Sequence, residues 1–418
     1  MLTWVNQFST CCFLDNHQYQ LNHHRYECVA GAGAEDCISL NSGSALSGLN
    51  RFQEKHQDWS FGHLSYDLKN EIEALGSIHP DNTGFPDLFF FVPETILLLK
   101  NDELCISAAD KTNADRIFDA IKSISVLNDA SPGAVVFQSR ITKEEYIDAI
   151  ERLRSHILRG DCYEINFCQE FFAENVELNP LAVYRSLSNI SPSPFAAFYK
   201  IDYRYLFCAS PERYLKKQGN TIISQPIKGT AKRNPLSAGT DAVNREDLYN
   251  SAKDRAENVM VVDLVRNDLS KICQEGSVQV EELFGIYSFP QVHQMISTVS
   301  GTLQSGISFA DIIANTFPMG SMTGAPKKKV MQLIDKYEVM RRGLFSGAVG
   351  YVAPGGDFDF NVVIRSILYN SRTRYVSYSV GSGITYYSNA EEEYEECLLK
   401  AAAIRNVFAY REAVPGEK

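Results

Sequence analysis

Apolar residues along this chain switch repeatedly between a two-residue and a three-to-four-residue period, and the order of the switches predicts the architecture. Period two suits a half-buried strand, and spacing i, i+3, i+4, i+7 suits one face of a helix. Asp58–Leu68 and Asp87–Lys100 are aromatic-rich and strand-like, and Asn101-Asp-Glu103 is a turn signal that predicts a hairpin over Asp87–Ala108. Asp110–Ser125 sets Ile117, Phe118, Ile121 and Ile124 on one helical face. Leu127–Gly133 is rich in Ser, Asn, Pro and Gly and reads as a linker. A helix is expected over Thr142–Arg159, with Tyr146, Ile150, Leu153 and Ile157 as its apolar stripe and Thr142 with Glu145 as a capping box.

Beyond Gly160-Asp161 the pattern predicts a strand at Cys162–Ala173 and a helix at Pro180–Ser188. Paired strands follow at Ala196–Lys200 and Tyr205–Cys208, then a strand over Leu215–Ser224 running into a turn. Glu246–Val265 reads as one long helix, and Ile312–Asn315 and Gly324–Tyr337 as helical segments around a glycine-rich bend. Gly347–Ala353, Phe358–Leu368 and Tyr375–Val380 look like antiparallel strands, and Glu391–Tyr410 is a closing helix. No internal repeat is evident. Strands adjacent in sequence and separated by turns predict a largely antiparallel α+β fold rather than βαβ winding.

The length of 418 residues allows one large or two medium domains. An N-terminal region over residues 1–130 and a second region over 137–412 are expected. A net charge of −11 disfavours nucleic acid or an anionic membrane as the partner. An anionic small substrate would need local positive charge. The most apolar run, Leu88–Leu99, is broken by Pro93 and Glu94, so no membrane span is expected, and the N-terminus lacks the pattern of a signal peptide. Ten scattered cysteines without a Cys-x-x-Cys element suggest reduced thiols and a cytoplasmic enzyme.

Candidate chemistry centres on Lys228, in Ser224-Gln-Pro-Ile-Lys-Gly-Thr230, where Pro226 and Gly229 predict a turn. An unperturbed lysine, with a pKa of about 10.4, is protonated at neutral pH. Burial or a neighbouring cation would favour the nucleophilic amine. The other reading is a surface lysine in a hairpin. Glu393, Glu396 and Lys400 share one face of the closing helix, and the long helix carries Glu257 with Lys253 and Asp254 before it. Such carboxylates suit Mg²⁺, and equally suit solvated helix surface. Pro318–Pro326 and Gly381-Ser-Gly383 offer small-residue approaches to an anion, or simply tight turns with positive φ. Arg365, in the strand Asn361–Ser366, needs a carboxylate partner, from a ligand or from the protein. The histidines form no ligand cluster, and His23-His24 and His293 read as structural.

Together these segments resemble the chorismate-utilising enzymes, which include anthranilate, aminodeoxychorismate, isochorismate and salicylate synthases. The resemblance runs from about Phe137 to the end. It rests on Gly160-Asp-Cys-Tyr-Glu-Ile-Asn166, Ser210-Pro-Glu-Arg213, Pro226-Ile-Lys-Gly-Thr230, Lys253-Asp-Arg-Ala-Glu-Asn258, Val262-Asp-Leu-Val-Arg-Asn-Asp268, Gly320-Ser-Met-Thr-Gly-Ala-Pro-Lys327, Ile364-Arg-Ser366, Gly381-Ser-Gly383 and Glu393-Tyr-Glu-Glu396. The Leu-Leu-Glu-Ser tryptophan-binding motif of feedback-inhibited members is not visible.

The resemblance implies a fold like that of anthranilate synthase component I, a sandwich of largely antiparallel sheets with helices outside. It implies Mg²⁺ held by Glu257, Glu393 and Glu396, with chorismate carboxylate on Arg365 and Lys400. Thr230, Thr323, Gly381, Ser382 and Gly383 would line the pocket. Glu212 would be the general acid at the C4 hydroxyl, and Lys228 the nucleophile at C2. Lysine in place of the alanine typical of anthranilate synthases resembles the aminodeoxychorismate synthase branch. That branch takes ammonia from a separate glutamine amidotransferase subunit. Anthranilate formation is the alternative. Glu164 stands where amino-transferring members often carry Gln and water-activating members Lys, and Gln294 where anthranilate synthases usually carry His.

Overall fold

The strands of the computed structural model, which describes residues 1–19, 22–108, 111–124, 132–234, 236–289 and 292–408, form two antiparallel sheets. The first runs, edge to edge, through Gly324–Ala325, Glu164–Ala173, Tyr375–Ile384, Ser366–Asn370, Arg204–Ser210, Phe195–Ile201, Thr10–Asp15, Cys28–Ala32, Thr95–Lys100 and Glu103–Ala108. The second runs through Ile227–Lys232, Val292–Thr302, Thr221–Gln225, Arg213–Gln218, Phe358–Val362, Ala348–Val352, Ser60–Leu64, Leu88–Val92 and Asp36–Leu40. The N-terminal region continues both sheets, through Thr10–Asp15 on Phe195–Ile201 and Ser60–Leu64 on Ala348–Val352.

Alternation decides which face each side chain serves. Ala197, Tyr199, Leu206 and Cys208 join Phe61, Leu215 and Phe360 of the second sheet in one core. The intervening Phe198 and Phe207 pack outward, with Tyr146, Leu153, Val183, Val330 and Ile404 from the covering helices. Helix Lys143–Leu158 begins as expected: Thr142 accepts from the Glu145 N–H, and the Glu145 carboxylate accepts from the Thr142 N–H at 2.8 Å.

Several expected elements divide. Leu215–Ser224 is two strands, Arg213–Gln218 and Thr221–Gln225, turned by Gly219 at φ +59°. Phe358–Leu368 crosses between the sheets, with Phe358–Val362 in the second and Ser366–Asn370 in the first. The hairpin is Thr95–Lys100 with Glu103–Ala108, while Leu88–Val92 belongs to the other sheet. The long helix is two, Ala238–Asn250 and Ala252–Ser270, broken at Ser251, whose side chain accepts from the Asp254 N–H to cap the second. The expected linker lies outside the described residues through 131. Among the described residues no helix is long and apolar enough to cross a membrane.

Candidate active site

Where the ends of the two sheets meet, Lys228 and Glu164 face each other. Lys228 lies in strand Ile227–Lys232 of the second sheet and Glu164 in Glu164–Ala173 of the first. The expected turn is instead a strand with a bulge, its register slipping between Ile227 and Thr230. Gly229 takes φ +97°, and a Cβ there would sit 3.0 Å from the Cβ of Asp254. The Lys228 carbonyl accepts from Asn258 Nδ2 at 3.5 Å, and Asn258 Oδ1 accepts from Ser297 Oγ at 2.6 Å. The lysine is thereby anchored to helix Ala252–Ser270.

Lys228 Nζ donates to Glu164 Oε1 at 2.5 Å, and the side chains are only 11% and 4% exposed. The surface-hairpin reading is therefore excluded. Of the two causes expected to favour a neutral amine, burial by itself does not suffice. Burial does push the lysine towards neutrality, but Glu164, Glu257 and Glu396 outweigh it and hold the ammonium charged.

Glu212 sits beside this pair, buried, with Oε1 accepting from Ser321 Oγ at 2.6 Å. Burial pushes its carboxyl up to about 7, against the downward pull of the Ser321 hydrogen bond and the Lys228 charge. A carboxyl so placed holds or gives a proton near neutral pH. Ser321 went unnoticed in the sequence, although it lies inside the glycine-rich bend. That bend is tied to the Glu164 strand by Gly324–Ala325, and at Gly324 (φ +129°) a Cβ would meet the Glu164 carbonyl at 2.1 Å. Thr323, fully buried, accepts through its carbonyl from the Asn166 N–H at 2.8 Å.

Gly381, Ser382 and Gly383 do not form a turn. Strand Tyr375–Ile384 runs straight through them, paired with Glu164–Ala173. Their smallness serves packing. A Cβ on Gly383 would lie 2.3 Å from Lys228 Nζ and 2.8 Å from Glu164 Oε1. Ser382, on the opposite face, is buried with its hydroxyl 3.3 Å from Tyr146 Oη. Thr230 is exposed and pairs across strands with buried Gln294, whose Oε1 has no hydrogen-bond partner.

The acidic residues approach from two helices. Glu257 comes from Ala252–Ser270, and Glu393 and Glu396 come from Ala390–Val407. The solvated-surface reading holds for Glu391, Glu392 and Glu395, and Glu396 too is 44% exposed although paired with Lys400; it fails for Glu393, which is 3% exposed. Glu257 Oε1 is buried without a partner, and burial pushes this carboxyl up to about 7. Lys253 Nζ stands 3.9 Å from Glu393, and Lys400 Nζ bonds Glu396 at 2.6 Å and the Gly381 carbonyl at 3.0 Å. Among the described residues no three His, Cys, Asp or Glu side chains converge as a ready ligand set. The donors are nonetheless hard oxygens, one of them orphaned, which fits Mg²⁺.

Arg365 is not in a strand. It lies in the connection between Phe358–Val362 and Ser366–Asn370 at φ +52°, a conformation rare for a side chain of its size. Its guanidinium is partly buried and makes no ion pair within 4 Å among the described residues; the carboxylate that acts on it, from beyond that distance, is Glu396. An anion binder built by strain matches that arrangement.

The sequence pattern described as chorismate binding enzyme matches residues 12–406. The chain is 30% identical to aminodeoxychorismate synthase component 1 of Bacillus subtilis (strain 168), over 85% of this chain and 78% of the relative. It is 33% identical to anthranilate synthase component 1 of Thermus thermophilus, over 84% of this chain and 78% of the relative. The crystal structure of anthranilate synthase component I from Streptococcus pneumoniae superposes with a TM-score of 0.80 at 26% identity, covering 93% of this chain and 94% of that one.

Proposed function

The chain belongs to the chorismate-binding enzyme family, and from that premise we propose that it aminates chorismate at C4 to give 4-amino-4-deoxychorismate. Relatives bearing this name and relatives named anthranilate synthase match at 30% and 33% identity, so overall identity does not choose between the two readings and the choice rests on the site residues. The observation that carries it is Lys228, buried and hydrogen-bonded at the meeting of the two sheets, with the neutral-pH carboxyl of Glu212 beside it.

The deprotonated Lys228 amine adds to C2 of the ring. The ring double bonds shift, and the C4 oxygen leaves as water with the proton of Glu212. Hydroxide is a poor leaving group, which is why a neutral carboxylic acid at that place matters. Ammonia then adds at C4, the double bonds shift back, and the lysine departs from C2. Glu212 regains its proton from solvent. Arg365 and Lys400 hold substrate carboxylate, and Thr230, Thr323 and the backbone of Gly381–Gly383 line the pocket. Mg²⁺, held by Glu257, Glu393 and Glu396, would supply positive charge for the ring carboxylate. A glutamine amidotransferase subunit would deliver the ammonia, and the product would serve folate and para-aminobenzoate formation.

Incubation with chorismate, Mg²⁺ and ammonium, with product identification, tests the reading. 4-Amino-4-deoxychorismate is expected, and anthranilate alone would overturn it. Lys228→Ala is expected to slow amination by about 10²-fold or more and to abolish the adduct seen by intact mass.

A further inference from the structure

We propose that Glu164 is a catalytic base, taking the Nζ proton of Lys228 before the amine attacks and returning it when the lysine leaves. The inference rests on the amination reading and adds a residue to it. Lys228 Nζ is ion-paired with Glu164, and an ammonium so held has no lone pair to offer. Its proton needs an acceptor, and water has little access to a side chain 11% exposed.

Glu164 Oε1 accepts the one side-chain hydrogen bond Nζ makes among the described residues, at 2.5 Å. Its second oxygen, Oε2, is buried and has no partner, so nothing else claims the carboxylate. The walls hold the pair together. Gly383 closes one side so tightly that a methyl would overlap both groups, and Gly324 packs against the Glu164 backbone. The other charged groups near Nζ serve other tasks. Glu257 and Glu396 lie beyond ion-pair distance of it, and Glu396 is taken by Lys400. Glu212 is held by Ser321 and is committed to the C4 oxygen. Lys253 and Asp254 face Glu257 across the same helix end.

The step balances without an outside reagent. Ammonium and carboxylate become amine and carboxylic acid. The amine forms the C2–N bond while water departs from C4 with the Glu212 proton. When ammonia displaces the lysine, the amine takes its proton back from Glu164. A glutamine at this position accepts no proton, so such a site must lose it to solvent, and its rate relative to the glutamate form must climb with pH.

Glu164→Gln, which keeps the shape, and Glu164→Ala with and without added formate would be compared with the native chain over pH 6–10, by product rate and by intact-mass adduct in a single turnover. The native chain is expected to show no rising limb from lysine ionisation. Glu164→Gln should lose about 10²-fold at neutral pH, the lower end of what a positioned base contributes, and should close the gap to the native rate as pH rises, while ionisation of Glu212 lowers both rates. Formate should partly restore Glu164→Ala. A Glu164→Gln rate within threefold of native with the same pH profile would sink the base role while leaving the amination reading intact. Anthranilate as the sole native product, with Lys228→Ala equally fast, would overturn both.

Discussion

At the scale of single residues, the chemistry turns on where one proton sits. Glu212 is useful as an acid only while neutral. Its carboxyl is pushed up to about 7 by burial, so activity should be present below that pH and fall as pH rises through it. Ser321 works against burial, because its hydroxyl stabilises the charged form. Ser321→Ala should therefore raise the Glu212 pKa and move the falling limb to higher pH. A hydrogen bond to a charged group contributes about 1.5 kcal/mol, which corresponds to a shift of about one pH unit. A limb that stays put or moves down in a pH–rate profile would count against Glu212 as the acid. Lys228 and Glu212 were picked out only through the resemblance that their motifs share with one family, since the Lys228 segment by itself reads equally as a surface hairpin. The charge on Lys228 was not legible, because it is set by Glu164, a residue distant in sequence that reaches Nζ only after two sheets have closed.

At the scale of elements, one strand carries two glycines for two different reasons. Both lie on the inward face of Tyr375–Ile384, against Glu164–Ala173. At Gly381 a Cβ would strike Cys168 Sγ at 2.4 Å and the Phe167 carbonyl at 2.6 Å. Backbone in a paired strand has little freedom to yield, so Gly381→Ala should destabilise by about 1–3 kcal/mol, read by denaturant unfolding. At Gly383 the obstacle is the far end of a long side chain, which can swing aside. Gly383→Ala should keep native stability, lose most of its activity, and form less adduct. Equal stability losses in the two variants would refute this division. Two glycines after an apolar run read as a turn, and only the register shows them inside a strand. The same short-range view merged Leu215–Ser224 and Phe358–Leu368 into single strands. Apolar period alone cannot mark a crossing between two sheets that are both buried. The capping box at Thr142 was legible because cap and partner lie three residues apart.

At the scale of the whole molecule, charge decides what can bind. The protein carries −11 overall, yet the proposed substrate is a dianion. Around the site the cations Lys228, Lys253, Lys400 and Arg365 face Glu164, Glu257, Glu393 and Glu396, with Asp254 beside Lys253 offsetting the part-protonated Glu257, so the ionised side chains roughly cancel. The fold brings these together from both sheets and both helices, and the resemblance had already named most of them. Their near balance follows only from the assembled geometry. A neutral cavity has no electrostatic reason to draw two negative charges out of water, where they are well solvated. Two further positive charges would tip the balance, and the orphaned Glu257 oxygen offers them a ligand. Chorismate binding measured by calorimetry should therefore weaken at least about tenfold, or roughly 1.4 kcal/mol, when EDTA replaces Mg²⁺, and recover when Mg²⁺ is restored. Equal affinity under both conditions would mean that the lysines and Arg365 alone hold the dianion, with the three glutamates serving only to neutralise them.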